Sequence, residues 1–236
     1  MIVFWRLMVA YYLCAVLFYN YPFMEYARRR PVWSVVWQAV LFCVLGGLLT
    51  WPWMSLHWPL AGVWEVPAAL CLACVGVFYA LNNAWTVHCR PGPKQHALRF
   101  LLHDAAAWIF ILLCAPLHSL YQTGNPVAAP WAVFTVAVLV VTKIFSVFIY
   151  RVEQDLYARD CPSLDESFVT MLARLIFFLI VLLPGWRWVV WFVVWWWACQ
   201  VARRNRLLDI SRFALYFGAL GATALGFLVK WSFYLQ

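Results

Sequence analysis

The chain has 236 residues, of which 67% are hydrophobic and only 11% charged. A soluble domain carries about 45–50% apolar and about 25% charged residues, so this composition excludes an ordinary soluble fold. The formal net charge is +8, but in a membrane protein the placement of Lys and Arg matters more than their sum.

No polar stretch is long enough to fold by itself, so residues 1–236 are expected to form a single polytopic transmembrane domain. The start mimics a signal peptide, with Arg6 before an apolar run. That run ends in FMEYARRR with no small-residue cleavage site, which marks a retained first helix.

A membrane span needs about 20 apolar residues. Eight runs qualify: Val3–Tyr26, Pro31–Trp53, Val63–Val87, Leu98–Tyr121, Val127–Tyr150, a sixth ending at Pro184, Trp186–Val201 and Ile210–Phe233. The expected fold class is therefore an all-α integral membrane protein, a bundle of about eight transmembrane helices. Pro31 suits a first helical position. Ser163 and Glu166 are spaced as a capping box for the sixth helix. The sixth and seventh runs are broken only by Pro184-Gly185, which fits either a tight hairpin or a re-entrant pair.

Charge placement orients the bundle. With the ARRR turn inside, 13 of the 17 Lys and Arg residues fall on the cytoplasmic side. Arg6, Arg187 and Lys230 fall outside, and Lys143 lies within the fifth run. Both termini are then expected on the non-cytoplasmic side. Trp51, Trp53, Trp58 and Trp64 cluster at one outer edge and Trp186 and Trp188 at another, as amphipathic rings do at headgroup level. Trp191, Trp195, Trp196 and Trp197 lie deeper, as a lipid-facing or packing surface.

The last helix carries Gly218, Ala222 and Gly226 at four-residue spacing. Such a stripe lets two helix backbones approach closely, either within the chain or in a homo-oligomer.

Polar residues inside apolar runs are the candidate site. At a rise of about 1.5 Å per residue, Asp104 lies about 8 Å from the inner boundary, Gln38 and Asn83 about 10 Å and Lys143 about 12 Å. Arg174 on the sixth helix is a further candidate. Intramembrane ionisable groups face the bundle interior and find partners. Asp104 with Lys143 is the most economical pair, and Asn82, Asn83 and His103 would satisfy further hydrogen bonds. The cluster Gln38, Asn82, Asn83, His103, Asp104, Lys143 and Arg174 would line a cytoplasm-open cavity that relays protons or binds an ion. The competing account is structural: Lys143 snorkels to the headgroups, and Asp104 gains from a nearby helix N-terminus.

Only His103 of the five histidines lies well within a span, with no second deep histidine opposite, so haem ligation is not expected. His88, Cys89 and His96 fit no zinc spacing, and no metal or cofactor is expected. Cys71-x-x-Cys74 puts two thiols on one helix face and raises a thiol–quinone oxidoreductase, but no exposed outer cysteine pair accompanies it. Cysteine in a membrane helix more often behaves as a small apolar residue. Walker, GxGxxG, GxSxG and HExxH motifs are absent. The basic inner face would attract anionic lipid or an acidic cytoplasmic protein. Nucleic acid is not expected, since topology alone explains those charges.

The order of segments resembles a bacterial family of polytopic membrane proteins of unknown function. Its opening motif, LLxAHLLxDFxLQ, has its counterpart in LMVAYYLCAVLFY, followed by the basic turn ARRRPVW. A middle HFxID-like segment corresponds to FYALNNAW, and an FLLDQxxH-like segment to FLLHDAAAW. LARLIFFLIVLLPGW through SRFALYFGALGATALGFLVK follows the pattern most closely. The chain departs from it at polar positions. Tyr11 and Ala15 stand where the family has histidine and aspartate, Tyr79 and Asn83 take the corresponding places in the third run, and His103 and Ala107 stand in the acid and histidine positions of the fourth. The resemblance implies a multi-pass protein of the bacterial inner membrane and carries no mechanism.

The expected function is that of a membrane protein that moves or senses a small ion or solute through the inner-side cluster, leaning towards a non-enzymatic role. The alternatives are a scaffold or sensor docking a cytoplasmic partner through its basic loops, and a membrane thiol oxidoreductase using Cys71 and Cys74.

Overall fold

The computed structural model describes residues 2–18, 26, 29–60, 63–88, 95–116, 130–157, 164–205 and 211–234. The Ser163 cap, Arg28, Cys89, Arg90, Lys94, His118, Arg159, Arg206 and the YQTGNP segment lie outside them. Among the described residues there are eight helices: α1 Ile2–Phe18, α2 Pro31–Thr50, α3 Ala68–His88, α4 His96–Cys114, α5 Pro130–Tyr157, α6 Leu164–Val181, α7 Arg187–Arg204 and α8 Arg212–Tyr234. Five of them, α2, α3, α4, α5 and α8, are long and apolar enough to cross a membrane. Each of the eight apolar runs thus contains one helix.

The ends differ from expectation for local reasons. The third helix starts at Ala68 rather than Val63, because Trp64–Pro67 is a strand (β2) pairing antiparallel with His57–Leu60 (β1). Pro59 and Pro67 cannot donate a backbone hydrogen bond, which suits the edges of a two-stranded ribbon better than a helix interior. Trp58 is fully buried under the hairpin, and its indole N–H donates to the Trp53 carbonyl at 3.1 Å. The fourth helix stops at Cys114 rather than Tyr121. Ala115 is extended (φ −85°, ψ 136°), as the residue before a proline prefers, and Pro116 follows. The fifth runs on to Tyr157 and contains a π-helical turn at Val140–Ile144.

Between α6 and α7 the chain turns tightly. Leu182 and Leu183 close 3₁₀-type bonds to Leu179 and Ile180, and Gly185 takes a left-handed φ of 64°. Such a conformation after a helix end favours glycine. The break read at Pro184-Gly185 is thus a tight turn between two helices.

The chain forms two compact units, Met1–Ala132 and Val133–Gln236. In the first, α1 packs on α2 and α4, and α3 packs between α2 and α4 in the helix order. The buried residues of α2 are Ser34, Gln38, Phe42, Gly46 and Thr50, a strict four-residue stripe. Most of that stripe is polar or small, while Val36, Val40, Val44 and Leu48 face outwards. A water-soluble helix does the reverse. In the second unit α8, α7 and the π turn pack on α6. The Gly218–Ala222–Gly226 stripe is occupied within the chain: a side chain at Gly218 would meet Arg174, and one at Gly226 would meet Val181 and the Phe178 carbonyl, both on α6.

Candidate functional site

The first unit gathers its polar side chains into one connected chain across four helices. It begins on α2, where Gln38 Nε2 donates to Ser34 Oγ at 3.0 Å. Asn83 Nδ2 on α3 donates to Gln38 Oε1 at 3.0 Å. Asn83 Oδ1 lies 3.0 Å from His103 Nε2 on α4. On the other side of the ring, His103 Nδ1 is 3.4 Å from Asp104 Oδ1. The chain ends on α1, where the Tyr11 hydroxyl donates to Asp104 Oδ1 at 2.7 Å. Asn82 supports the site from outside the chain, its Nδ2 donating to the His103 carbonyl at 3.0 Å.

Each position follows from helical spacing. Ser34 and Gln38 are one turn apart on the buried stripe of α2. His103 shares the buried face of α4 with Phe100, Ala107, Ile111 and Cys114. On α1 and α3, Tyr11 and Tyr79 pack edge to face at 5.5 Å. Tyr79 stacks on Phe42 at 5.2 Å and completes an aromatic wall beside the polar chain. One turn along α4, Trp108 donates to the Tyr12 hydroxyl at 2.6 Å. The imidazole is 1% exposed and the Asp104 side chain 16%, so the carboxylate is the reachable end of the pair.

The amide orientations set the hydrogen-bonding role of each ring nitrogen of His103. With the Asn83 amide donating to Gln38, its Oδ1 accepts from His103 Nε2–H. A neutral ring then turns the Nδ1 lone pair towards a carboxylate, and two acceptors face each other without a proton. Flipping both amides reverses the chain: Asn83 then donates to Nε2, and Nδ1–H points at Asp104. The tautomer of His103 is thus tied to two amide orientations on α2 and α3.

Five of the residues expected at the site, Gln38, Asn82, Asn83, His103 and Asp104, come together. Lys143 and Arg174 belong to the second unit. Lys143 lies in the π turn, where Thr142 Oγ1 donates to the Val138 carbonyl and Ser146 Oγ to the Thr142 carbonyl. Arg174 is buried on α6, with Nη2 donating to Ser146 Oγ and its stem lying over Gly218. Glu153 is also buried there and accepts from Ser211 Oγ.

Depth arithmetic missed two members of the chain. Ser34 and Tyr11 are ordinary residues in apolar helices, and only the family resemblance singled out position 11. Cys71 is a buried free thiol whose Sγ lies 3.7 Å from the Pro59 carbonyl and 3.6 Å from the Cys114 carbonyl, and Cys74 is free and half-buried. Among the described residues no group of three His, Cys, Asp or Glu side chains is placed to hold a metal. Comparison of the chain with protein-family models, with curated proteins and with solved structures gave no match.

Proposed function

We propose that the chain is a multi-pass protein of the bacterial inner membrane that moves or senses a proton or small ion through the His103–Asp104 pair. The inverted burial of α2 supports the membrane part: Ser34 and Gln38 point inwards while Val40, Val44 and Leu48 point outwards. Eight spans with both termini outside fit the charge placement, and the resemblance to a bacterial inner-membrane family fits the location.

The observation that carries the functional part is the chain of polar contacts Ser34–Gln38–Asn83–His103, whose buried Nδ1 has no hydrogen-bond partner among the described residues and lies 3.4 Å from Asp104, with Tyr11 bonded to that carboxylate. A purely apolar bundle has no need of it, and intramembrane ionisable residues are commonly functional. Asp104 exchanges the proton with the cytoplasmic side, His103 holds it, and the amides register which tautomer is present.

The test uses purified protein in sealed vesicles with a trapped pH dye and an imposed potassium diffusion potential. Infrared difference spectra over a pH jump are recorded in parallel. Wild type is expected to show proton flux or a protonating-carboxyl band. Asp104→Asn is expected to abolish both and His103→Ala to reduce them at least tenfold. Flux and spectra unchanged in two folded variants would refute the reading.

A further inference from the structure

In the second unit, α7 and α8 both pack on α6 far more closely than on each other. Rings bridge the gap: Trp188 meets Phe227 and Trp196 meets Tyr216, each at 5.0 Å. The first contact joins the start of α7 to the later part of α8, and the second joins points nearer the opposite ends, so the two helices are antiparallel. Between them runs an open cleft of about 550 Å³. Phe192 and Trp196 line it from α7, and Phe213, Tyr216, Phe217 and Leu220 from α8. Its size falls in the range of ligand clefts, about 300–1,000 Å³, but its walls are almost wholly hydrocarbon.

One end of the cleft is polar. Gln200 Nε2 donates to the Tyr216 hydroxyl at 3.5 Å, and Arg203 Nη2 donates to Gln200 Oε1 at 3.2 Å. This ladder leads from the cleft wall to the last turn of α7, which holds Arg203 and Arg204. Because the helices are antiparallel, Arg212 at the start of α8 stands at the same end. Arg204 and Arg212 are exposed, and the Nε of Arg203 is buried without a hydrogen-bond partner. Among the described residues, three arginines therefore stand at the polar end of this hydrocarbon slot.

We propose that this cleft is a binding site for an anionic phospholipid. One acyl chain lies along the aromatic slot, the glycerol region meets Tyr216 and Gln200, and the phosphate is held by Arg203, Arg204 and Arg212. Guanidinium groups match phosphate oxygens bidentately, and juxtamembrane basic groups attract anionic headgroups. A second copy docked by the same face, related by a twofold axis along the membrane normal, would bring its own three arginines against these and repel. The inference rests on the membrane part of the proposed function and is independent of the His103–Asp104 pair.

The test places the full chain in nanodiscs of phosphatidylcholine containing a minority of phosphatidylglycerol, then identifies retained lipid by native mass spectrometry. Wild type is expected to keep one phosphatidylglycerol per chain in preference to phosphatidylcholine. Each arginine near an anionic headgroup contributes roughly fivefold, so Arg203→Gln should lower the preference by about that factor. Leu220→Trp fills the slot and should remove the retained lipid of either headgroup. Equal retention of both lipids by wild type, an unchanged preference in both variants, or a lipid-free dimer would each overturn the site. A chain that enters nanodiscs without headgroup preference fails only here, whereas one that stays in solution without lipid fails the membrane reading itself.

Discussion

At the scale of single residues the polar chain makes unequal demands. His103 is bonded on one side to Asn83 and faces Asp104 on the other. His103→Ala leaves the buried Asn83 amide without the ring partner it has at 3.0 Å, which costs about 1–3 kcal/mol. Tyr11→Phe removes one donor from a carboxylate that is partly exposed. Interhelical hydrogen bonds in membrane proteins average about 0.6 kcal/mol and reach about 1.7 kcal/mol. Thermal unfolding in detergent should therefore rank His103→Ala as the more destabilising, and the opposite order would contradict the wiring described. Residue type also explains what was legible in the sequence. Gln38, Asn83, His103 and Asp104 stand out because they are costly in hydrocarbon, and similar depth puts them in one slab, though the same depth also grouped Lys143, which lies in the second unit. Ser34 and Tyr11 cost little there, so polarity did not mark them, and only their place on a buried face shows their part in the chain.

Helix ends and faces belong to the scale of elements. Long apolar runs marked the eight helices, but proline decided where α3 begins and α4 ends. The segment WPWMSLHWPLAG has the look of a loop, yet part of it pairs as a hairpin over buried Trp58. The inward face of α2 was hidden because the helix is apolar around most of its circumference, which leaves periodicity little to detect. The glycines of α8 give a prediction at this scale. An added Cβ at Gly226 would lie 3.0 Å from Val181 Cβ and 3.2 Å from the Phe178 carbonyl. At Gly218 it would lie 2.8 Å from Arg174 Cδ and 3.0 Å from Cγ, which would push the guanidinium off Ser146. Overpacking of this kind costs about 1–3 kcal/mol. Gly47 is a control, since its added Cβ would make only ordinary contact with Leu72 at 3.6 Å. Denaturation midpoints should fall for Gly218→Ala and Gly226→Ala and stay near wild type for Gly47→Ala.

At the scale of the whole molecule the proposed topology turns on where the cations sit. Two of the three cations assigned outside make hydrogen bonds to carbonyls at or just beyond helix C-termini. Arg6 Nη1 donates to the Leu49 carbonyl at 2.8 Å, and its guanidinium lies 4.4 Å from the Trp53 ring. Lys230 Nζ donates to the Val181 and Leu183 carbonyls at 3.2 and 2.8 Å. Cations at helix C-termini are favoured by the dipole, so these two positions have local reasons that do not compete with the inner-side bias. The proposed arrangement has both termini outside. Reporter fusions active only outside the cytoplasm should work at either end of the chain and fail after Arg204. Cytoplasmic termini at both ends would invert the proposed depths of Asp104 and His103 as well.

The π turn of α5 carries a consequence for chain length. A π turn accommodates one residue more than an α turn within an otherwise continuous helix, and Val140–Ile144 is followed without a break by Phe145–Tyr157. A chain one residue shorter in this turn would run as uninterrupted α-helix, with the faces on either side still in phase. The same deletion in α2 would rotate every later side chain by about 100° and turn its stripe of Ser34, Gln38, Phe42, Gly46 and Thr50 out of line. Tolerance to insertion and deletion inside the helices is therefore local, and Val140–Ile144 is where this fold can absorb it.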